Sequence, residues 1–178
     1  MEKDFTVVAL DAMGGDNAPM EIVKGGIEAI NARDDIKVIL VGIEEDINKE
    51  LDKYEYDKMR VSVVNATEVI ATEEPPVAAI RKKKDSSIVV AMNLVKNKQA
   101  DAFVSAGSSG AVLVGGQLIV GRIKGIERPP LAPLIPTKDG VALLIDCGAN
   151  VDARATHLLQ FAKMGSVYME HVVGIKNP

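Results

Sequence analysis

The chain has no Trp, and aromatic residues make up only 3% of its 178 positions. Its core therefore has to be aliphatic, built from Val, Ile, Leu, Ala and Met. A single cysteine, Cys147, excludes an internal disulfide and suits a reducing compartment. No apolar run reaches the about 18 residues expected of a membrane span. Positions 1–4 lead directly into an apolar run, so no signal peptide is read there. There is no long basic stripe and the net charge is −4, which gives no support to nucleic-acid binding. No His/Cys/Asp spacing suggests a metal site. No repeat or low-complexity segment stands out. What remains is ordinary for a soluble globular protein: 47% apolar and 26% charged residues, with enough chain for one domain and a substantial core.

Apolar runs and helical periodicity alternate along the chain. Strands are expected at 5–11, 36–42, 60–65, 101–105, 131–136 and 141–146. Helices are expected at 19–33, with Pro19 in the first turn, and at 44–54, the latter acidic and exposed. A loop rich in Thr and Glu surrounds 67–74, after which Pro75 and Pro76 open a helix running through Lys84. Further helices fall at 87–98, where Ile88, Ala91, Met92 and Val95 mark a buried face, at 109–123 and at 155–170. Strands alternating with helices predict parallel pairing through right-handed crossovers, an α/β fold with helices on both faces of a mostly parallel sheet. A single unit over 1–178 is expected; a seam near residue 100 or in the proline-rich stretch 129–136 is the alternative.

Three of the strands run into turns rich in glycine and polar residues. The first ends Asp11-Ala12-Met13-Gly14-Gly15-Asp16-Asn17-Ala18-Pro19. In an open α/β sheet ligands bind beyond the carboxyl ends of the strands, and glycines there let the backbone approach them closely. Asp11 could equally cap backbone donors of the turn. The second strand ends Ser105-Ala106-Gly107-Ser108-Ser109-Gly110 and leads into an apolar helix. Ser108 or Ser109 suits its N-cap, and the free amides of such a helix start attract anions. The third ends Asp146-Cys147-Gly148-Ala149-Asn150-Val151-Asp152. Together they predict several loops converging on one crevice.

Four other features have two readings each. The cluster Arg81-Lys82-Lys83-Lys84 is a solvated helix end, where cations are favoured, or an anion-binding face. Arg122, Lys124 and Arg128 form a sparser group with the same alternatives. The helix 109–123 is apolar almost all round, which predicts burial rather than membrane contact. Cys147 is a packing residue rather than a nucleophile, because neither His157 nor His171 forms a Cys–His signature with it. His157 itself reads as a structural or capping residue.

These motifs, in this order, resemble the bacterial phosphate acyltransferases of phospholipid synthesis (the PlsX type). The resemblance is carried by Asp11-Ala12-Met13-Gly14-Gly15-Asp16 and by Ser105-Ala106-Gly107 with Gly110-Ala111. It continues through Gly121-Arg122, Lys124-Gly125-Ile126 and Arg128-Pro129, then Leu131-Ala132-Pro133. Asp146 with Gly148-Ala149-Asn150-Val151-Asp152-Ala153, and Met164-Gly165-Ser166-Val167-Tyr168, complete it. The match spans essentially the whole chain. Two departures matter: Asn17 stands where the family often has His, which argues against a His general base, and Ser108-Ser109 stand where Asn-Thr is common. Family members are about twice as long, so this chain is expected to be their first half and to be inactive alone.

The resemblance implies an isopropylmalate dehydrogenase/phosphotransacetylase-like three-layer α/β/α fold. It implies a cytoplasmic, homodimeric transferase of fatty acid and phospholipid metabolism, with peripheral membrane contact left open. The reaction it implies moves a fatty acyl group from acyl carrier protein to inorganic phosphate, giving acyl phosphate without a cofactor. Phosphate is then the nucleophile, so no Ser-His-Asp triad is needed; an anion site and oxyanion donors are. Asp11, Asp146 and Asn150 become the candidate catalytic residues, with Asn150 as a neutral donor and the aspartates orienting cations or amides. Gly14, Gly15, Asp16, Ser105, Gly107, Ser108, Ser109, Gly110, Lys82 and Lys83 become candidates for binding phosphate and substrate. The main rival is a dinucleotide-binding dehydrogenase half. It lacks Gly-x-Gly-x-x-Gly after the first strand, so Glu44 or Glu45 has no companion motif. A non-catalytic truncated scaffold is the third reading.

Overall fold

The computed structural model describes residues 5–138 and 140–178; positions 1–4, read above as leading into the first strand, lie outside the described residues. The described chain forms two compact units divided between Gly121 and Arg122, upstream of the proline-rich stretch and well past residue 100.

The first unit is built on strands β1 (Thr6–Asp11), β2 (Ile36–Gly42), β3 (Val61–Asn65) and β4 (Ala102–Val104), all parallel, in the order β3-β2-β1-β4. Helices α1 (Met20–Ala32) and α2 (Glu44–Leu51) follow the first two strands. Helices α3 (Pro76–Lys82) and α4 (Ser87–Lys96) lie between β3 and β4. Helix α5 (Ser109–Gly115) continues as a π-helical turn over Gly116–Val120. Strand alternation decides the layers, because successive side chains point to opposite faces. Val38 and Leu40 face α1 and α2, packing with Val23, Ile27, Ile30, Ile47 and Leu51. Ala9 and Val41 face the other way, packing with Ala91 of α4. The result is helix, sheet, helix, with an aliphatic core as the composition requires.

One expectation changes here. Helix α5 and its π-turn are not buried all round: Ala111 and Gly115 are buried, but Leu118 is 55% exposed and Val120 44%. Only one stripe packs, on a cluster that includes Ile80 and Met92.

The second unit is an antiparallel hairpin, β5 (Leu134–Thr137) and β6 (Gly140–Leu143), with helix α6 (Ala155–Tyr168) and a π-helical turn, Met169–Val173. The sheet was expected to be mostly parallel, and this pair is an antiparallel exception. Thr137 pairs with Gly140, and so short a connection cannot form the crossover that parallel strands need. Helix α6 buries a single stripe, His157, Phe161 and Gly165, at four-residue spacing.

Candidate functional site

Connections from β1 run toward β2 and β3 on one side, while β4 lies on the other side of β1. The crevice beyond the carboxyl ends of β1 and β4 is thus a topological switch point, where ligands bind in open α/β sheets. Both glycine turns of the first unit sit there. The register pairs Leu10 with Val104, so the next residue on each strand, Asp11 and Ser105, emerges side by side on the same face. Ser105 Oγ donates to Asp11 Oδ2 at 2.6 Å, and the Gly107 amide donates to Ser105 Oγ at 3.0 Å. Asp11 is fully buried, and its second oxygen accepts from the Met13 amide at 3.2 Å. Asp11 thus caps its own turn with one oxygen and holds the neighbouring strand's serine with the other.

The two turns interlock through their glycines. A Cβ on Gly14 would stand 2.5 Å from Asp11 Oδ2, 2.7 Å from the Gly107 amide and 3.0 Å from Ser105 Oγ. Gly15 has φ +99°, a backbone state that side chains disfavour, and lies against Ala106. Asp16 is exposed at the rim. Ser108 is the N-cap of α5, its Oγ accepting from the Ala111 amide at 3.3 Å, and Ser109 is exposed as the first helical residue. A Cβ on Gly110 would stand 2.6 Å from Pro76 Cγ, so this glycine seats the start of α3 against the start of α5.

The basic cluster is not brought to that turn. Lys82 and Lys83 lie at the other end of α3 from Pro76, about 9 Å along the helix axis. Lys83 Nζ is held by Glu74 Oε1 at 2.6 Å and the Val69 carbonyl at 2.7 Å. The hydrogen bond from Lys83, with another from the Ala71 amide, keeps the Glu74 carboxyl below its ordinary range. Lys82 is exposed. The loop 67–74 is stapled further: Asp85 accepts from the Thr67 hydroxyl and amide, which lowers its pKa, and Glu68 Oε2 accepts from the Asp85 amide. Sequence reading missed this staple, since pairs 17 or 18 positions apart follow no periodicity.

Asp146 and Asn150 belong to the second unit. Strand β6 ends at Leu143, so Asp146 stands in the loop beyond it rather than at the strand end expected. Its carboxylate accepts from the Leu131, Ala149 and Asn150 amides and from Asn150 Nδ2. Burial alone would raise its pKa, but these four hydrogen bonds together hold it below the ordinary value. Asn150 Nδ2 also donates to the Pro129 carbonyl at 3.2 Å, so both amide hydrogens are engaged. Cys147 is exposed. His157 is a buried capping residue, as read: Nδ1 accepts from the Arg154 amide and Nε2 meets Glu127 Oε2 at 2.9 Å. Gln160 adds hydrogen bonds to the Glu127 amide and the Gly125 carbonyl, which pins the loop carrying Arg122, Lys124 and Arg128. Among the described residues no group of three or more His, Cys, Asp or Glu could hold a metal ion. No helix among them is long and apolar enough to cross a membrane.

A parallel sheet flanked by helices is also the architecture of phosphotransacetylases. Two solved structures share it: a phosphotransacetylase from Streptococcus pyogenes (TM-score 0.69, 18% identity, 98% of this chain and 57% of that one) and the EutD phosphotransacetylase from Staphylococcus aureus (TM-score 0.68, 18% identity, 94% and 53%). The chain belongs to the fatty acid synthesis protein family, which matches residues 6–178. It is similar to the phosphate acyltransferases of Clostridium novyi (strain NT), 52% identical over 171 residues, and of Clostridium beijerinckii (strain ATCC 51743 / NCIMB 8052), 55% identical over 171 residues. Each match covers 96% of this chain, which spans about half the length of these curated relatives.

Proposed function

We propose that this chain is the phosphate-binding half of an enzyme that transfers a fatty acyl group from acyl carrier protein to inorganic phosphate. The product is an acyl phosphate, used in phospholipid synthesis. The observation that carries this reading is the buried Asp11–Ser105 pair with interlocked glycine turns at the switch point of the sheet. A buried carboxylate fixing a serine beside a glycine turn is a preorganised polar site, which a reaction with phosphate as nucleophile needs.

In the proposed reaction an oxygen of hydrogen phosphate attacks the thioester carbonyl carbon, the C–S bond breaks, and the carrier thiol leaves with the phosphate's proton. The amides of Ser108, Ser109 and Gly110 bind the phosphate, Gly107 holds Ser105 in place, and Gly14 and Gly15 let the first turn close on the anion. Asp11 orients Ser105, and Asp16 orients a cation at the rim. Asp146 anchors the loop of Asn150, whose two side-chain hydrogens go to Asp146 and the Pro129 carbonyl, so the neutral-donor role expected of Asn150 is corrected to holding that loop. Lys82 attracts the acidic carrier, while Lys83 keeps α3 in position through Glu74. The whole enzyme works as a cytoplasmic homodimer. Phosphate titration of the 178-residue chain tests the site: saturable binding that shifts the Ser109 and Gly110 amide resonances is expected. Phosphate-dependent release of thiol from acyl carrier protein tests the reaction in the same chain extended with the second half of a close relative. No release there, with phosphate still bound, would overturn the acyltransferase assignment.

A further inference from the structure

We propose that Ser105 reads the protonation of the bound anion, accepting a hydrogen bond from a P–OH group, so that the site takes hydrogen phosphate in preference to sulfate. This rests on the phosphate reading above. A hydroxyl has one proton and two lone pairs. The Ser105 proton goes to Asp11 Oδ2 and one lone pair accepts from the Gly107 amide. Asp11 is held in turn, fully buried, with its other oxygen on the Met13 amide. The serine therefore cannot turn its proton outward without leaving a buried carboxylate oxygen unpartnered, which is costly. What Ser105 offers a ligand is one lone pair. It is half-buried rather than sealed, at the mouth of the crevice.

A lone pair there favours a ligand that brings its own proton. At pH 8 hydrogen phosphate carries one P–OH; sulfate has the same charge and the same tetrahedral shape but no proton. Backbone amides of the turn, being donors, satisfy either anion. Ser105 is then the group that tells them apart, and it also fixes which phosphate oxygen keeps the proton. The three unprotonated oxygens are left to the amides and to the attack on the thioester.

The test is calorimetric titration of the 178-residue chain with phosphate, sulfate and monofluorophosphate at pH 8 and constant ionic strength. Phosphate should bind about tenfold tighter than sulfate, the ratio that one well-placed hydrogen bond supplies. Monofluorophosphate, with fluorine in place of the hydroxyl, should behave as sulfate does. Ser105→Ala should bring the phosphate-to-sulfate ratio to about one, and Ser105→Thr, which keeps the hydroxyl, should restore it. Equal binding of all three anions by the parent protein overturns the role of Ser105 and leaves phosphate binding standing. Binding of none overturns both. Should Ser105→Ala fail to fold, the comparison of the three anions on the unaltered chain decides the question.

Discussion

Replacing Gly14 by Ala tests the interlock of the two turns directly. The new methyl would stand 2.5 Å from Asp11 Oδ2 and 2.7 Å from the Gly107 amide, one a fixed buried carboxylate and the other backbone. Neither can step aside as a flexible side-chain tip could. Overpacking of this kind costs about 1–3 kcal/mol. Relief requires β1 and β4 to part at their ends, which breaks the Ser105–Asp11 hydrogen bond. Losing a partner on a buried charged acceptor costs about 1.5–3 kcal/mol. The two overlap in part, so the expected loss is about 2–5 kcal/mol. Gly25→Ala is the control. Gly25 is exposed in α1 with nothing within 4 Å of the Cβ position, and alanine there should stabilise by about 0.5–1 kcal/mol. The chain lacks Trp, so urea unfolding is followed by circular dichroism. With a slope of about 2 kcal/mol per M, the Gly14→Ala midpoint should fall by about 1–2.5 M and that of Gly25→Ala should rise slightly. Equal midpoints for Gly14→Ala and the parent would refute the argument that the turns are in contact.

Further outcomes follow from the same geometry. Gly110→Val should destabilise the unit through Pro76, so its loss of phosphate binding will come with a lower urea midpoint rather than on an intact fold. Lys82→Glu should weaken carrier association and flatten its salt dependence, measured on a chain carrying both halves, with stability unchanged; Lys83→Glu should also lower the thermal midpoint, because it places a second carboxylate against Glu74. Hydrogen bonds in the folded loop hold the Asp146 carboxyl below its ordinary range. Its hydrogen bonds therefore contribute fully above the unfolded value and are lost as pH falls through the folded one. The Leu131 and Asn150 amides should keep slow hydrogen exchange at pH 5 and lose it as pH falls through the lowered folded-state value, whereas Asp146→Asn should lose it already at pH 5.

Much of the first unit was legible because its strands are aliphatic runs closed by turn residues. The run read at 36–42 is β2 without a shift, and Pro76 opens α3 as the paired prolines indicated. The turns after β1 and β4 were recognisable by their glycines. Their contact was not, since it depends on the register that sets Leu10 beside Val104, and register across a gap that long leaves no trace in local pattern. The pairing of β5 with β6 was left unread for a related reason. Apolar alternation marks a strand and says nothing of its direction; the connection of a few residues was the better signal, because parallel strands need a dozen or more. The work done by Lys83, Glu74 and Asp85 was hidden because exposed-looking charges act there through loop backbone.

The Asp11–Ser105 pair joins positions 94 apart through a strand of only three residues. Closing so long a loop costs on the order of 4 kcal/mol of chain entropy before any contact repays it. β1, β2 and β3 pair over much shorter separations, so they fold first and the crevice is completed last. The short β4 is also the first strand to detach in a native-state fluctuation. An anion bound across the two turns would be released by that detachment, and so holds it shut. Phosphate level would then set how often the sheet's edge opens, and with it how fast a protease finds this chain.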